Sequence, residues 1–274
     1  MIDTKFYRHE ITDLLAMLNG DDYPETYVYL SNFLDESEEF DAYEIANELT
    51  QLDKPNDLPP FILDYIVELF TACIEDGNCE AMNDLGAQYY EGCRGFEQDF
   101  DKAVYYYNMA AEHGSRQAQE NLGYCYYYGR TGVVDYEIAF HYFALGAFDG
   151  HLISLYKIGD MYAAGYYVKK NEVEAFHIYE HCIKTMTDEA APLVAGPVFL
   201  RLGKCFLNGV GTEKDAKSAL VCYQKAEAYL YDMVKRGDVM YKKSLQGAIE
   251  GQAKAREILM NELTEKQWLD GKKD

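Results

Sequence analysis

Apolar residues recur three and four positions apart along much of the chain, the spacing that gathers them on one face of a helix. In "TKFYRHEITDLLAMLN" the stripe is Tyr7, Ile11, Leu14 and Leu18, and "PETYVYLSNFL" and "DAYEIANELTQL" show the same spacing. Asp41 followed by Glu44 has the form of a capping box at the start of the third segment. The stretch "DKPNDLPP" reads as a loop, and "PPFILDYIVELFTACIEDG" as the second helix of a degenerate leading repeat. Near the other end, "KSLQGAIEGQAKAREILMNEL" predicts a helix able to cover an exposed apolar face, with a frayed "DGKKD" tail after it.

Between these flanks the pattern becomes periodic. Leu85, Leu122, Ile158 and Leu202 each precede a glycine: Gly86, Gly123, Gly159 and Gly203. Three residues on stand Tyr89, Tyr126, Tyr162 and Phe206, and three further on Gly92, Gly129, Gly165 and Gly209. Leucine and aromatic lie four apart, so they share a helix face with the small glycine between them. Glycine inside a helix costs about 1 kcal/mol, which the close approach of a second helix would offset. The closing glycine sits where a helix ends in a left-handed residue. Beyond it come Asp99, Asp135, Asn171 and Asp215, side chains that accept hydrogen bonds at a helix start. Each is followed at four-residue steps by alanine (Ala103, Ala139, Ala175, Ala219) and an aromatic (Tyr107, Phe143, Tyr179, Tyr223). The unit is a helix–turn–helix of about 36 residues stacked on its neighbours. A longer step of 44 between the last two units implies an insertion, placed at "TDEAAPLVAGP" with Pro192 and Pro197.

Charge sharpens this picture. The 274-residue chain carries −22, and the charge is uneven: residues 1–80 hold 20 acidic and 3 basic side chains, residues 81–274 hold 27 and 22. A field of that sign repels phosphate backbones, so nucleic acid is not expected as a ligand, whereas a basic protein would be steered in. The 26 tyrosines suit surfaces that are half packed and half wet. "MIDTKFYRHEITDLL" lacks a basic region followed by an apolar run, and no apolar stretch is long enough to span a bilayer. Seven cysteines without a framework spacing read as reduced thiols. Together these predict a cytoplasmic protein with no membrane contact, and a monomer.

The repeats resemble the Sel-one-like family, relatives of the tetratricopeptide repeats. Its pattern A-x-x-x-L-G-x-x-Y-x-x-G-x-G-V, then D, K-A, Y and A-A-x-x-G, is met by "AMNDLGAQYYEG" with "DKAVYYYNMAAEHGS", and by "LNGVGTEKDAKSALVCYQKA". The third unit departs from it, lacking the second loop glycine and the terminal A-A-x-x-G. The match covers roughly residues 79–228. A secreted branch of the family is stapled by paired cysteines. Here Cys125 and Cys205 share a repeat position while Cys93, Cys182 and Cys222 do not, which argues against that branch.

The resemblance implies an all-α fold, a right-handed α-solenoid of stacked helix–turn–helix repeats with degenerate helical ends. Three regions are expected: 1–78, an acidic helical cap; 79–237, four repeats (79–115, 116–150, 151–190, 195–237); and 238–274, a closing helix and tail. In tetratricopeptide-like solenoids one side of each first helix lines a concave groove. By that analogy the partner-reading positions are Asn83, Tyr90, Glu91, Glu120, Tyr124, Tyr127, Tyr128, Tyr156, Asp160, Lys204 and Asn208. Tyrosines there offer large amphipathic contact area with little rotamer entropy to lose.

Motifs for chemistry are sparse. There is no G-x-S-x-G, glycine-rich phosphate loop, H-E-x-x-H or zinc-type cysteine pair, and no cofactor is expected. His177 and His181 stand four apart beside Cys182 and Glu174, a spacing at which two imidazoles can hold one metal. The expected function is a non-enzymatic scaffold that docks a peptide or protein, basic in character, in the groove. The alternatives are metal-dependent or other enzymatic action at His177 and His181, and a purely architectural, self-associating role.

Overall fold

The computed structural model describes residues 4–36, 41–53 and 56–270. Among them are thirteen α-helices, one 3-10 turn and no strand. The chain divides into two compact units, Met1–Asp135 and Tyr136–Asp274. The first holds α1 (Thr4–Met17), α2 (Pro24–Glu36), α3 (Ala42–Leu49), α4 (Pro60–Glu75), α5 (Cys79–Glu91), α6 (Phe100–Glu112) and α7 (Arg116–Tyr127). The second holds α8 (Tyr136–Phe148), α9 (Leu152–Ala164), α10 (Glu172–Thr185), α11 (Ala191–Asn208), α12 (Ala216–Lys235) and α13 (Lys242–Asp270). Each unit has its own core. One runs from Ile11 and Leu14 on α1, with Leu18 just past its end, to Leu85 on α5 and Phe96 beyond it, the other from Tyr156 on α9 to Ala255 on α13. The residues beyond Asp270 in the "DGKKD" tail lie outside the described residues.

The periodic residues explain the hairpins. Side chains of Asn78 and Ser115 cap α5 and α7, and those of Asp99, Asn171 and Asp215 cap α6, α10 and α12, by accepting from backbone N–H groups of the first turn. Gly92, Gly165 and Gly209 end α5, α9 and α11 in the left-handed conformation. A fixed hydrogen bond then closes each turn. The backbone N–H of Asp99, Asp135, Asn171 and Asp215 donates to the carbonyl of Tyr89, Tyr126, Tyr162 and Phe206, at 2.8, 3.0, 2.9 and 2.9 Å. That bond is why the aromatic and the acidic or amide residue keep nearly constant spacing.

The helix glycines lie beneath aromatic rings. A Cβ added at Gly86 would stand 2.9 Å from the Tyr107 ring, at Gly159 2.6 Å from Tyr179, and at Gly203 2.9 Å from Tyr223. All three tyrosines are buried. Burying such a ring stabilises the hairpin by roughly 2 kcal/mol, which more than offsets the helical glycine.

Two details go beyond the sequence reading. The insertion at "TDEAAPLVAGP" is helical: Pro192 lies in the first turn of α11 and Pro197 inside it. The added residues lengthen α11 at its start, and α12 is longer at its end. α11 and α12 have 18 and 20 residues where α5 and α6 have 13 each. The extensions pack on each other, with Gly196 against Leu230, the Phe199 and Tyr229 rings stacked at 6.4 Å, and Arg236 donating to the Pro192 carbonyl. In the third repeat Tyr167 takes the place of the second loop glycine and adopts φ +61°, where Gly211 of the fourth has φ +72°.

The helix pair α3–α4 belongs to the same pattern. Phe70 precedes Tyr107 by one repeat length, as Gly77 precedes Gly114, and both glycines have positive φ. Ala46 on α3 and Phe70 on α4 are both fully buried. α13 closes the other side of the last hairpin. Gly251 brings its backbone against the outer face of Tyr223, whose inner face rests on Gly203.

Candidate interaction surface

The first helices α5, α7, α9 and α11 carry the residues assigned to the groove, with Tyr128 as the C-cap of α7. Polar rungs at one repeating position join α3 to α5, α5 to α7 and α9 to α11. In these three places the residue just before the L-G leucine reaches back to the preceding first helix. Asp84 accepts from the Tyr43 hydroxyl on α3 at 2.8 Å, and Asn121 Nδ2 donates to Asn83 Oδ1 at 3.0 Å. Arg201 forms the strongest rung. Its Nε and Nη2 each donate to an Asp160 oxygen at 2.5 Å, and its guanidinium lies 4.6 Å from the centre of the Tyr156 ring. Tyr179 from α10 donates its hydroxyl to the same carboxylate at 2.8 Å. Burial opposes the charge on Arg201, and the Asp160 carboxylate outweighs it, holding the guanidinium pKa above its ordinary value. Burial and the same carboxylate raise the Tyr179 pKa.

These rungs revise the groove. Asn83, Glu120 and Tyr156 are buried, so they serve the stacking rather than a partner. Asp160 is committed to Arg201 and Tyr179 and is mostly covered. Tyr90 is half-buried, with its ring 5.4 Å from Phe100 and 6.4 Å from Tyr107. Its hydroxyl pKa is raised by burial, against the effect of a hydrogen bond with Arg130. Arg130 itself lies over the Phe100 ring at 4.7 Å. Glu91, Tyr128, Lys204 and Asn208 are exposed, and Tyr124 and Tyr127 partly so. Tyr124 and Tyr128 stack face to face, 6.2 Å apart and within 9° of parallel, with Tyr127 edge-on to Tyr128 at 4.9 Å. Sequence reasoning missed Asp84, Asn121, Arg201 and Arg130. The first three share the position before L-G, a signal present in the sequence. Nothing there distinguishes Arg130 from other loop cations.

The histidine constellation comes apart in space. His177 and His181 are exposed and His177 pairs with Glu180 at 3.6 Å, whereas Cys182 points into the core. Among the described residues no group of three or more His, Cys, Asp or Glu side chains is placed to hold a metal ion. All seven cysteines are free, and burial pushes the Cys125 and Cys182 thiols up to about 12, far from the thiolate a nucleophile needs.

Antiparallel helix pairs locked by glycine under tyrosine, with first helices joined by polar rungs, define a helical-repeat protein. The chain belongs to the Sel1 repeat family, whose pattern matches residues 79–115, 116–151, 152–180 and 200–228. Proteins of this family typically serve as protein–protein interaction scaffolds. The sel1-like repeat-containing protein L21 of Acanthamoeba polyphaga mimivirus is 37% identical over 87 residues, 31% of this chain and 15% of that protein. An ERAD-associated E3 ubiquitin-protein ligase component of Arabidopsis thaliana, HRD3B, is 36% identical over 99 residues, covering 35% of this chain and 15% of that one. Protein sel-1 homolog 2 of Mus musculus is 28% identical over 177 residues, or 65% and 25%. The matched stretch is thus a quarter or less of each curated relative. Among solved structures, c5321, a protective antigen of uropathogenic Escherichia coli with an SLR fold, aligns with TM-score 0.54 and 20% identity over 79% of this chain and 45% of its own. A Sel1 repeat protein from Oxalobacter formigenes aligns with TM-score 0.54 and 23% identity over 69% and 72%. These two likenesses bear on the fold alone.

Proposed function

We propose that the chain is a non-enzymatic scaffold that docks a basic peptide or protein segment on the outward side of its first helices. The stacked Tyr124–Tyr128 pair carries the proposal: two flat rings, one of them half exposed, held parallel on a helix that the rungs fix in register. Parallel tyrosine faces accept an arginine or lysine side chain through cation–π contact. The net charge of −22 steers basic segments toward the protein, and Glu91 adds an exposed carboxylate on α5. Seven unbridged cysteines fit work in a reducing, cytoplasmic setting.

Selection from a displayed random-peptide library, followed by fluorescence anisotropy on the retained peptides, tests the proposal. Retained peptides should be enriched in lysine and arginine. The Tyr124→Ala/Tyr128→Ala double variant should bind them at least tenfold more weakly, with a melting temperature close to that of wild type. Equal binding by the variant would move the site elsewhere, and a large loss of stability would make the pair part of the core.

A further inference from the structure

The outer face of α8 is more apolar than those of α6, α10 and α12. Counting from the residue that starts each second helix, three outward positions carry Lys102, Met109 and Glu112 on α6, and Glu174, His181 and Lys184 on α10. On α12 they carry Ser218, Lys225 and Ala228, but on α8 they carry Ile138, Leu145 and Phe148. Phe148 is 91% exposed and Leu145 39%. Glu137 is the one formally charged residue in the whole of α8. A surface helix this apolar has a face made for contact.

The same face carries a hollow. Ile138, Phe140, His141 and Ala144 line an open depression of about 520 Å³, walled by Tyr167. Tyr167 stands 5.5 Å from the Phe140 ring and is itself exposed. Its left-handed backbone costs about 1 kcal/mol relative to an ordinary conformation, and that backbone holds the ring beside the hollow.

We propose that this face binds a second copy of the chain through α8 packed antiparallel on α8. A twofold axis between Ala144 and Leu145 puts Phe148 of each copy opposite His141 of the other, because the two positions are equally far from that axis. The protruding ring then enters the hollow, and the contact is isologous. Ala144 at the crossing lets the helices approach closely. Two chains that each carry −22 repel one another, and α8 itself adds one formal charge, Glu137, to this face, with Asp149 just beyond Phe148. Its two Glu137 carboxylates would stand roughly 20 Å apart at opposite ends of the pair. A fully buried aromatic removes about 150–250 Å² from water. Two copies of Phe148, with Leu145, Ile138 and Tyr167, therefore approach the roughly 1,000 Å² that a specific interface needs. On this proposal the expected monomer gives way to a weak dimer.

Sedimentation equilibrium on the full chain over a wide concentration range tests it. Wild type should approach twice 31.4 kDa at high concentration. Added salt should strengthen the association, because it screens the repulsion between like-charged chains. Phe148→Glu should stay at the single-chain mass with unchanged circular dichroism and melting, since the ring touches almost nothing within its own chain. Adding His141→Glu to Phe148→Arg should restore the dimer by pairing opposite charges across the axis. Wild type that stays monomeric at every concentration overturns the proposal, and so does a dimer that survives Phe148→Glu. Failure of the paired variant to recover overturns the antiparallel register.

Discussion

The hairpins α5–α6 and α11–α12 follow one plan with different lengths and different neighbours. Both place a glycine of the first helix beneath a tyrosine of the second, and both close the turn with a hydrogen bond from an aspartate N–H to an aromatic carbonyl. The last hairpin is longer in both helices and adds two further close approaches. Gly196 lies under Leu230 in the extension, and Gly251 of α13 lies on the far side of Tyr223. The lock is thus independent of helix length. An insertion is tolerated where both helices can grow together and pack along the added turns. It also follows that Tyr223, held between two glycines, has less room to yield than Tyr107, which meets one.

Valine at the locking glycine should therefore have the largest effect. Gly86→Val and Gly203→Val each force a branched side chain into a ring already within 3 Å of the Cβ position. The expected loss is about 3 kcal/mol of stability, read as a shift in the denaturant midpoint. Gly203→Val should cost more than Gly86→Val, and combining each with alanine at the partner tyrosine should recover part of the loss. Equal costs, or none recovered by Tyr223→Ala, would mean that α13 does not pin the ring.

Alkaline pH separates the two hairpins next. α11 and α12 bury Cys205 and Cys222, whereas neither cysteine near α5, Cys79 or Cys93, is buried. Burial pushes the Cys205 and Cys222 thiols up to about 11 from an ordinary value of 9.0. A thiol whose folded pKa is raised contributes its full stability below the unfolded value and loses it as pH rises through the folded one. The loss opens above pH 9 and continues to about 11. By pH 10 it amounts to roughly 1 kcal/mol for each thiol. Amide hydrogen exchange corrected for intrinsic rate should then show α11–α12 opening more readily between pH 8.5 and 10. α5–α6 should change less over the same interval, and Cys205→Ala/Cys222→Ala should flatten the difference. A matching loss in α5–α6 would break the comparison.

The repeated L-G-x-x-Y-x-x-G register revealed the locks because each of its positions meets one physical requirement. A small residue must lie under the ring, a left-handed residue must close the helix, and a capping side chain must start the next one. The groove was less legible. Whether a residue on the first helix faces a partner or a neighbouring helix depends on its repeat position, which a broad helical stripe does not separate. Tyr156 stands two before the L-G leucine position, like the buried Asn83 and Glu120, whereas Tyr124 stands two after it and is partly exposed. The spacing located the insertion but not its helical form. Pro192 and Pro197 carry no helix signal, but a proline in the first turn costs nothing, and packing along the extension compensates the one further in.

A further contrast lies in the rungs, where the same position carries different chemistry in two places. Asn121 to Asn83 is one hydrogen bond between neutral amides, whereas Arg201 to Asp160 is a two-pronged ion pair with a tyrosine hydroxyl on one side and a tyrosine ring beneath. Removing Arg201 leaves a largely covered carboxylate that keeps the Tyr179 hydroxyl as donor but loses its counter-charge. The Arg201→Leu variant should cost about 2 kcal/mol, below the value for a fully buried pair because solvent reaches both groups. Asn121→Ala should cost about 1 kcal/mol, the net worth of one hydrogen bond. The double variant Asp160→Leu/Arg201→Leu decides between two readings of the charged rung. Near-wild-type stability would show that it fixes register rather than adding stability, because two apolar side chains carry no desolvation cost. A loss equal to that of Arg201→Leu alone would make the ion pair itself the source of the stability that the neutral rung lacks.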